Sequence, residues 1–258
     1  MVASAPAIQL RNVCKTFTDP RGSEVDAVRG VDLVIGEGET LCLIGTSGCG
    51  KTTTMKLINK LIEPTDGTIL VGGTPISDLD TITLRRRIGY VIQSGGLFPH
   101  MTVAQNVGLL CELEGWPKKR WRERVAQLLG MVNMEPAEFG ARYPRELSGG
   151  QRQRVGLARA LALDPPLVLM DEPFAALDPI TRDQVHDEFG PLKEKVKKTI
   201  VIVTHDMDEA FKLGDRIALM DAGELVQVGT EDDFRYRPVN EFVTDFLRSH
   251  LHDGSKSA

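Results

Sequence analysis

The residues that point most directly to chemistry form a glycine-rich run ending in a lysine and two threonines. This run is Gly45-Thr46-Ser47-Gly48-Cys49-Gly50-Lys51-Thr52-Thr53, and it satisfies the pattern G-x-x-x-x-G-K-[ST] at every fixed position. The glycines let the backbone turn so that its N–H groups face a phosphate. Lys51 is then expected to reach the β- and γ-phosphates, and the Thr52 hydroxyl to ligate Mg²⁺. The run therefore predicts a binding site for a nucleoside triphosphate.

The run lies between a candidate strand and a candidate helix. Leu41–Ile44 is a short apolar stretch, as expected for a buried parallel strand. After the run, apolar residues at helical spacing predict a helix with one buried face: Met55, Leu57, Ile58 and Leu61. A strand, a loop and a helix in this order place phosphates at a helix N-terminus, where the dipole and unpaired N–H groups favour anions. The flanks thus favour a phosphate loop over a chance glycine-rich turn.

A second apolar stretch, Leu167–Met170, is followed by two acids. Ligands of open α/β sheets bind at the carboxyl ends of core strands, where these acids would lie. Asp171 is the candidate to hold Mg²⁺, and Glu172 is the candidate general base that polarises a water for attack on the γ-phosphorus. By themselves, the two acids are equally consistent with an ordinary turn, so it is their combination with the phosphate loop that predicts hydrolysis.

Two further side chains are candidates for the same site. His205 follows the strand pattern Thr199–Val203 and could contact the γ-phosphate and orient the attacking water, although a purely structural histidine is the alternative. Gln93 follows Gly89–Ile92, and its amide can meet both Mg²⁺ and water. Neither residue is informative alone.

The run Leu147-Ser148-Gly149-Gly150-Gln151 is the start of a predicted helix. Ser148 is a good N-cap, and Gln151 lies three residues later, as in a capping box. A capped helix start is also an anion site, so a structural role and a phosphate-binding role are both open.

These motifs occur along the chain in one order that resembles the ATP-binding subunits of ABC transporters over nearly its whole length. The stretch from Leu147 to Arg154 is the most specific part of the resemblance. The resemblance implies ATP and Mg²⁺ as ligands, with Phe17 stacking on the adenine. The fold that it implies is α/β, with a P-loop NTPase core built on a mainly parallel sheet, an N-terminal antiparallel β-subdomain and an inserted helical subdomain.

The resemblance also implies that the active form is a head-to-tail homodimer with two ATP molecules between the copies. In such a dimer, Ser148, Gly149, Gly150 and Gln151 of one copy bind the γ-phosphate held by the other. Asp178 belongs to the loop that would cross the interface.

Two segments, Leu57–Thr65 and Leu97–Thr102, resemble the osmoprotectant branch of the family. This implies an importer ATPase that powers uptake of a quaternary amine such as glycine betaine, choline or carnitine. Uptake would run through separate membrane permease subunits, with a solute-binding protein as an indirect partner. The alternatives are an ATPase for lipid traffic or export, and a soluble ABC ATPase that acts on nucleic acid or ribosomes.

The composition of the 258 residues limits the partners and the location. A net charge of −5 argues against a nucleic-acid partner, and no apolar stretch is long enough to cross a bilayer. The first residues do not have the pattern of a signal peptide. We therefore expect a cytoplasmic protein, peripheral at the inner face of the cell membrane. Among the four cysteines, Cys49 lies beside Lys51 at a helix N-terminus, so we expect a reactive thiolate there.

The pattern of elements predicts one main domain and a short tail. The ATP-binding domain is expected over 7–240, with the helical subdomain inserted at about 95–163, and the tail over 241–258. The segment Ala7–Leu33 is expected to form short antiparallel strands around a turn.

Overall fold

The computed structural model describes residues 6–20, 22–92, 96–175 and 177–251. They form two compact units: the first takes the residues up to Thr81 and from Thr199 onwards, and the second is Ile82–Lys198. Gln93 lies outside the described residues, so its role stays a prediction. The domain limits 7–240, 95–163 and 241–258 also stay predictions.

The first unit begins with an antiparallel sheet of four strands. These are β1 (Ile8–Thr18), β2 (Glu24–Ile35), β4 (Asp66–Val71) and β5 (Thr74–Pro75), in the order β2-β1-β4-β5. The antiparallel N-terminal sheet is confirmed, but the expectation of short strands is wrong, since β1 has 11 residues and β2 has 12. Shifts of register between Leu10 and Thr16 let the pairing continue where the alternation of apolar residues breaks.

Four more strands of the first unit form a mainly parallel group. They are β3 (Thr40–Gly45), β8 (Thr199–Val203), β9 (Arg216–Asp221) and β10 (Glu224–Gly229), in the order β10-β9-β3-β8. β3 pairs in parallel with both β8 and β9, whereas β10 pairs antiparallel with β9. Every residue of β3 and β8 is buried, which explains why both strands were readable as continuous apolar runs.

The helices of the first unit are α1 (Lys51–Ile58), α8 (Met207–Leu213), α9 (Glu231–Tyr236) and α10 (Glu241–His250). In α1, Met55, Leu57 and Ile58 are buried as predicted. Leu61 does not belong to this face: the helix ends before it, and its side chain is 43% exposed. Lys60, with φ of +50°, turns the chain away from the helix axis.

The second unit contains two parallel strands, six α-helices and a short 3-10 helix (Pro144–Glu146) among its described residues. The strands are β6 (Ile88–Val91) and β7 (Leu167–Asp171). The helices are α2 (Thr81–Arg86, which starts at the boundary), α3 (Val103–Leu113), α4 (Lys118–Met131), α5 (Pro136–Phe139), α6 (Gly149–Ala160) and α7 (Pro179–Val196). Helix α4 buries one apolar face, which consists of Val125, Leu128 and Leu129. None of the helices in the described ranges is both long and apolar enough to cross a membrane.

Candidate functional site

The glycine-rich run forms a loop between the end of β3 and the start of α1. Gly45, Gly48 and Gly50 have φ of +144°, +80° and +103°, a region that L side chains rarely adopt. A Cβ on Gly45 would overlap the carbonyl oxygen of Met220, and one on Gly50 would overlap that of Ala27. Around Gly48 there is open space, so only its backbone angle requires glycine. The three glycines therefore set a backbone path that no side chain obstructs.

Lys51 is fixed inside this loop rather than extended into solvent. Its side chain is 7% exposed, and its ammonium donates hydrogen bonds of 2.8 Å to the carbonyl oxygens of Gly45 and Thr46. Thr46, Ser47 and Gly48 are exposed. The loop thus presents a positive charge and accessible backbone at a helix N-terminus, an arrangement that binds anions.

Cys49 does not have the environment that we expected. The residue is 3% exposed, and this burial raises the pKa of its thiol, although the Lys51 ammonium acts in the opposite direction. The expected thiolate is therefore wrong, because desolvation of the charged form outweighs the nearby positive charge. Cys49 also supports the loop: its backbone carbonyl accepts a hydrogen bond from Gly223 N, and its sulfur accepts one of 3.7 Å from the Lys51 ammonium.

Asp221 supports the loop and was missed in the sequence. It is the last residue of β9, and its carboxylate accepts a hydrogen bond of 3.2 Å from the Thr46 hydroxyl. An acid after an apolar strand was the signal that identified Asp171, and the same signal was present here. The contact itself joins residues 175 positions apart, so only the folded chain reveals it.

His205 lies at the same edge of the sheet as the phosphate loop, because both follow the carboxyl ends of neighbouring parallel strands. Leu43 of β3 pairs in parallel with Val203 of β8, and Thr204 N donates a hydrogen bond of 3.1 Å to Leu43 O. Two residues beyond this pair, the chain reaches Gly45, which is the last residue of β3, and His205, which lies just after the end of β8. The His205 side chain is exposed at this position.

Phe17 lies near the end of β1 with its ring available to a ligand. Its side chain is 41% exposed, and the Lys15 ammonium lies 5.1 Å from the ring centroid. An exposed ring on a strand can stack on a flat partner, which is consistent with the adenine contact that we predicted.

In the second unit, the two candidate acids lie at the end of β7. Asp171 is the last residue of β7. Burial of Tyr90 on the neighbouring strand raises the pKa of its hydroxyl to about 12, and the negative charge of Asp171 is the second, smaller cause. Glu172 follows with φ of +44°, a left-handed conformation that is strained for a glutamate. Such strain persists only where the surroundings impose it, and it is common at functional sites.

The predicted helix at Ser148 is α6, and its capping box is confirmed. The Ser148 hydroxyl accepts a hydrogen bond of 3.2 Å from Gln151 N, and the Gln151 side chain accepts one of 2.9 Å from Ser148 N. Ser148 is exposed, and Gly149 is partly exposed. The helix start is therefore both capped and accessible.

Asp178 lies close to this helix start through a shared neighbour, Thr181. Asp178 caps α7 by accepting a hydrogen bond of 3.0 Å from Thr181 N, and hydrogen bonds from Thr181 lower the pKa of its carboxyl. Gly150 packs against the methyl group of Thr181, because a Cβ on Gly150 would lie 2.9 Å from that methyl. The structure thus brings the start of α6 and the start of α7 together.

Two of the predicted Mg²⁺ ligands have suitable chemistry. Thr52 lies in the first turn of α1 and Asp171 ends β7, and both carry oxygen donors, which Mg²⁺ prefers. Within the described ranges, no group of three or more His, Cys, Asp or Glu side chains could hold a metal by itself. Protein sites for Mg²⁺ commonly use one or two carboxylates together with phosphates of the substrate.

A phosphate loop at a helix start, acids after a parallel strand and a capped Ser-Gly-Gly helix are features of ATP-binding cassettes. The ABC transporter family model matches residues 28–175, and the chain belongs to that family. The predicted resemblance to its osmoprotectant branch is confirmed by curated relatives that are ATP-binding proteins of choline and glycine betaine transport systems.

Two curated relatives show how close the similarity is. The choline transport ATP-binding protein OpuBA of Bacillus subtilis is 57% identical over 240 residues, which are 93% of this chain and 62% of the relative. The glycine betaine uptake system ATP-binding protein YehX of Escherichia coli is 48% identical over 245 residues, 95% of this chain and 78% of the relative. The chain therefore spans about three fifths of the length of OpuBA.

A solved structure supports the fold independently. The dimeric ATP-binding cassette MJ0796 bound to ADP and Pi is similar with a TM-score of 0.77 and 36% sequence identity, over 86% of this chain and 98% of that one. The predicted α/β class, with an antiparallel N-terminal sheet and a mainly parallel core sheet, is confirmed.

Proposed function

We propose that this chain is the ATP-binding and ATP-hydrolysing subunit of an importer for a small quaternary amine such as glycine betaine, choline or carnitine. The observation that carries the proposal is the phosphate loop with the Lys51 ammonium fixed inside it, in a chain 57% identical to a choline transport ATP-binding protein. The loop accounts for nucleotide binding, and the similarity to choline and glycine betaine transport proteins supports the class of solute.

In the binding step, the backbone N–H groups of Gly45–Thr53 surround the phosphates and Lys51 neutralises their charge. Phe17 stacks on the adenine. Stacking does not read the hydrogen-bonding edge of the base, so we expect other nucleoside triphosphates to bind as well. The assignment of the phosphate contacts to this loop is supported by its exposed residues Thr46–Gly48 and by the buried ammonium of Lys51.

In the hydrolytic step, Glu172 accepts a proton from the attacking water, and His205 and Gln93 orient that water. Thr52, Asp171 and Gln93 would hold Mg²⁺, which supplies charge neutralisation at the β- and γ-phosphates when it is bound. The strained backbone of Glu172 supports its assignment, because the fold holds this one glutamate in a fixed conformation.

The active form that we propose is a homodimer that shares its two sites. Ser148, Gly149, Gly150 and Gln151 of one copy bind the γ-phosphate held by the other, and Asp178 lies at the same interface. The accessible, capped start of α6 supports this arrangement, as does the similarity to a cassette whose structure is dimeric. Membrane permease subunits bind the dimer at the inner face of the membrane, and a solute-binding protein delivers the amine to them.

A pair of substitutions at Ser148 separates its capping role from its phosphate role. Asn and Asp cap helices as well as Ser does, so S148N and S148D should both keep the unfolding free energy within about 1 kcal/mol of wild type. They differ in one negative charge, which would face the γ-phosphate in the dimer. We therefore expect S148D to hydrolyse ATP at least about tenfold more slowly than S148N. Equal rates in the two variants would remove Ser148 from the shared site.

The solute is tested by uptake in the organism that carries the gene. Replacing the chromosomal copy by a Lys51→Ala variant should reduce uptake of at least one of radiolabelled glycine betaine, choline and carnitine to background at high osmolarity. Uptake of an unrelated amino acid such as glutamine is the control and should not change. Normal uptake of all three amines would overturn the proposed solute class while leaving the ATPase assignment intact.

A further inference from the structure

A side chain of helix α6 holds the segment Gly96–Thr102 in place. Arg159 Nη1 donates a hydrogen bond of 2.8 Å to the carbonyl oxygen of Gly96, and its guanidinium carbon lies 5.9 Å from the ring centroid of Phe98. Arg159 is in the last turn of the same helix that Ser148 caps. One straight element therefore joins the Ser-Gly-Gly start to this segment, over about 16 Å.

The conformation of Gly96 directs its carbonyl group. Gly96 has φ of +50°, and a Cβ at this position would overlap the side chain of Ile92. The two residues are therefore packed closely together, and no other residue type could replace Gly96 without moving Ile92. The positive φ of Gly96 sets the direction of the carbonyl oxygen that Arg159 binds, whereas Ile92 is 39% exposed and its side chain can shift.

The other end of the segment is fixed by Asn106 of α3. This asparagine is fully buried; its side-chain oxygen accepts a hydrogen bond of 2.8 Å from Phe98 N, and its amide nitrogen lies 3.1 Å from the carbonyl oxygens of Phe98, Met101 and Thr102. The segment has no strand or long helix of its own, so these side chains replace the missing backbone partners. The segment is thus a rigid piece held between α3 and α6.

We propose that Arg159 is a positioning residue, which makes the segment Gly96–Thr102 move together with helix α6 during the ATPase cycle. The inference rests on the proposed function, in which the start of α6 binds the ATP of the partner copy. When that ATP draws the helix start to a new position, the arginine carries the displacement to the segment. A charge-assisted hydrogen bond to a backbone carbonyl suits this role, because it is stronger and more directional than an apolar contact.

Arginine is suited to this contact in a way that lysine is not. Its planar guanidinium can donate to Gly96 and lie near the Phe98 ring at the same time, whereas an ammonium is a single point charge. An Arg159→Lys variant should therefore keep part of the contact between α6 and the segment Gly96–Thr102, and Arg159→Gln should lose most of this contact. Arg154→Gln is the matched control, because Arg154 lies on the same helix but pairs at 2.7 Å with Glu188 of α7.

The first test measures hydrogen exchange of the full chain without nucleotide. In Arg159→Gln, exchange at residues 97–102 should become about tenfold faster, the change expected for loss of one charge-assisted hydrogen bond. Arg159→Lys should give an intermediate value, and Arg154→Gln should leave these residues as in wild type. Unchanged exchange at 97–102 in Arg159→Gln would overturn the proposal. If Arg159→Gln does not fold, exchange at residues 97–102 is compared between Arg159→Lys and Arg154→Gln. Exchange that is no faster in Arg159→Lys than in Arg154→Gln would then overturn the proposal.

The second test distinguishes positioning from simple structural support. Arg159→Gln should lower kcat for ATP by about tenfold and leave the Kd for MgATP within about twofold of wild type, with partial rescue in Arg159→Lys. Faster exchange at 97–102 with wild-type kcat would overturn the positioning role. That result would not affect the proposed function, because hydrolysis by the wild-type protein is measured in the same assay.

Discussion

Replacing Glu172 by Gln should slow ATP hydrolysis by about 10²–10⁴-fold, the usual contribution of a general base. Glutamine has nearly the same size and keeps a side-chain oxygen, so the strained backbone after β7 can be retained. An amide cannot accept the proton of the attacking water. Binding of MgATP should remain close to wild type, because we assign the phosphate contacts to the loop before α1 and not to Glu172.

The measurement is single-turnover hydrolysis together with the Kd for MgATP. Glu194→Gln is the matched control, since it makes the same chemical change at an exposed position of α7 and should hydrolyse at the wild-type rate. Hydrolysis by Glu172→Gln at the rate of this control would show that Glu172 is not the general base.

The second large effect is expected for Lys51→Ala, which should weaken MgATP binding by about 10- to 100-fold. A hydrogen bond to a charged group is worth about 1.5–3 kcal/mol, and this ammonium is held almost fully buried where the phosphates would bind. The substitution also leaves the carbonyl oxygens of Gly45 and Thr46 without this donor. Some loss of thermal stability should therefore accompany the loss of affinity.

Lys60→Ala separates these two effects. Lys60 also donates to two backbone carbonyl oxygens, those of Ile76 and Leu79, at 2.9 and 3.0 Å, but it lies after the end of α1. Its substitution should reduce stability and leave the Kd for MgATP unchanged. Equal Kd values for Lys51→Ala and wild type would contradict the role of Lys51 as a phosphate ligand.

The parts of the fold that the sequence predicted well are those in which one physical effect dominates. β3 and β8 are buried along their whole length, so each is a continuous apolar run that is hard to misread. The predicted lengths of β1 and β2 are too short, because register shifts interrupt the alternation of apolar and polar residues from which a strand is predicted. The end of α1 was also misjudged, since Leu61 has helical spacing but follows a left-handed residue, Lys60.

The candidate site shows the same division between local and tertiary information. The spacing of Gly45, Gly50 and Lys51 reflects local backbone geometry, so it was visible in the sequence. The thiol of Cys49 was misjudged because its burial depends on the folded chain, and burial outweighs the charge beside it. The contact of Thr46 with Asp221 could not be foreseen, because it joins distant parts of the sequence.

In the active form that we propose, two copies of this chain share their ATP sites, and the molar mass of Glu172→Gln in solution tests this sharing most directly. The variant should bind MgATP without hydrolysing it, so the shared state should accumulate. We expect the mass of one chain without nucleotide and twice that mass with saturating MgATP, whereas Ser148→Asp added to Glu172→Gln should prevent the doubling. A Glu172→Gln protein that binds MgATP and keeps the mass of one chain would contradict the shared-site account.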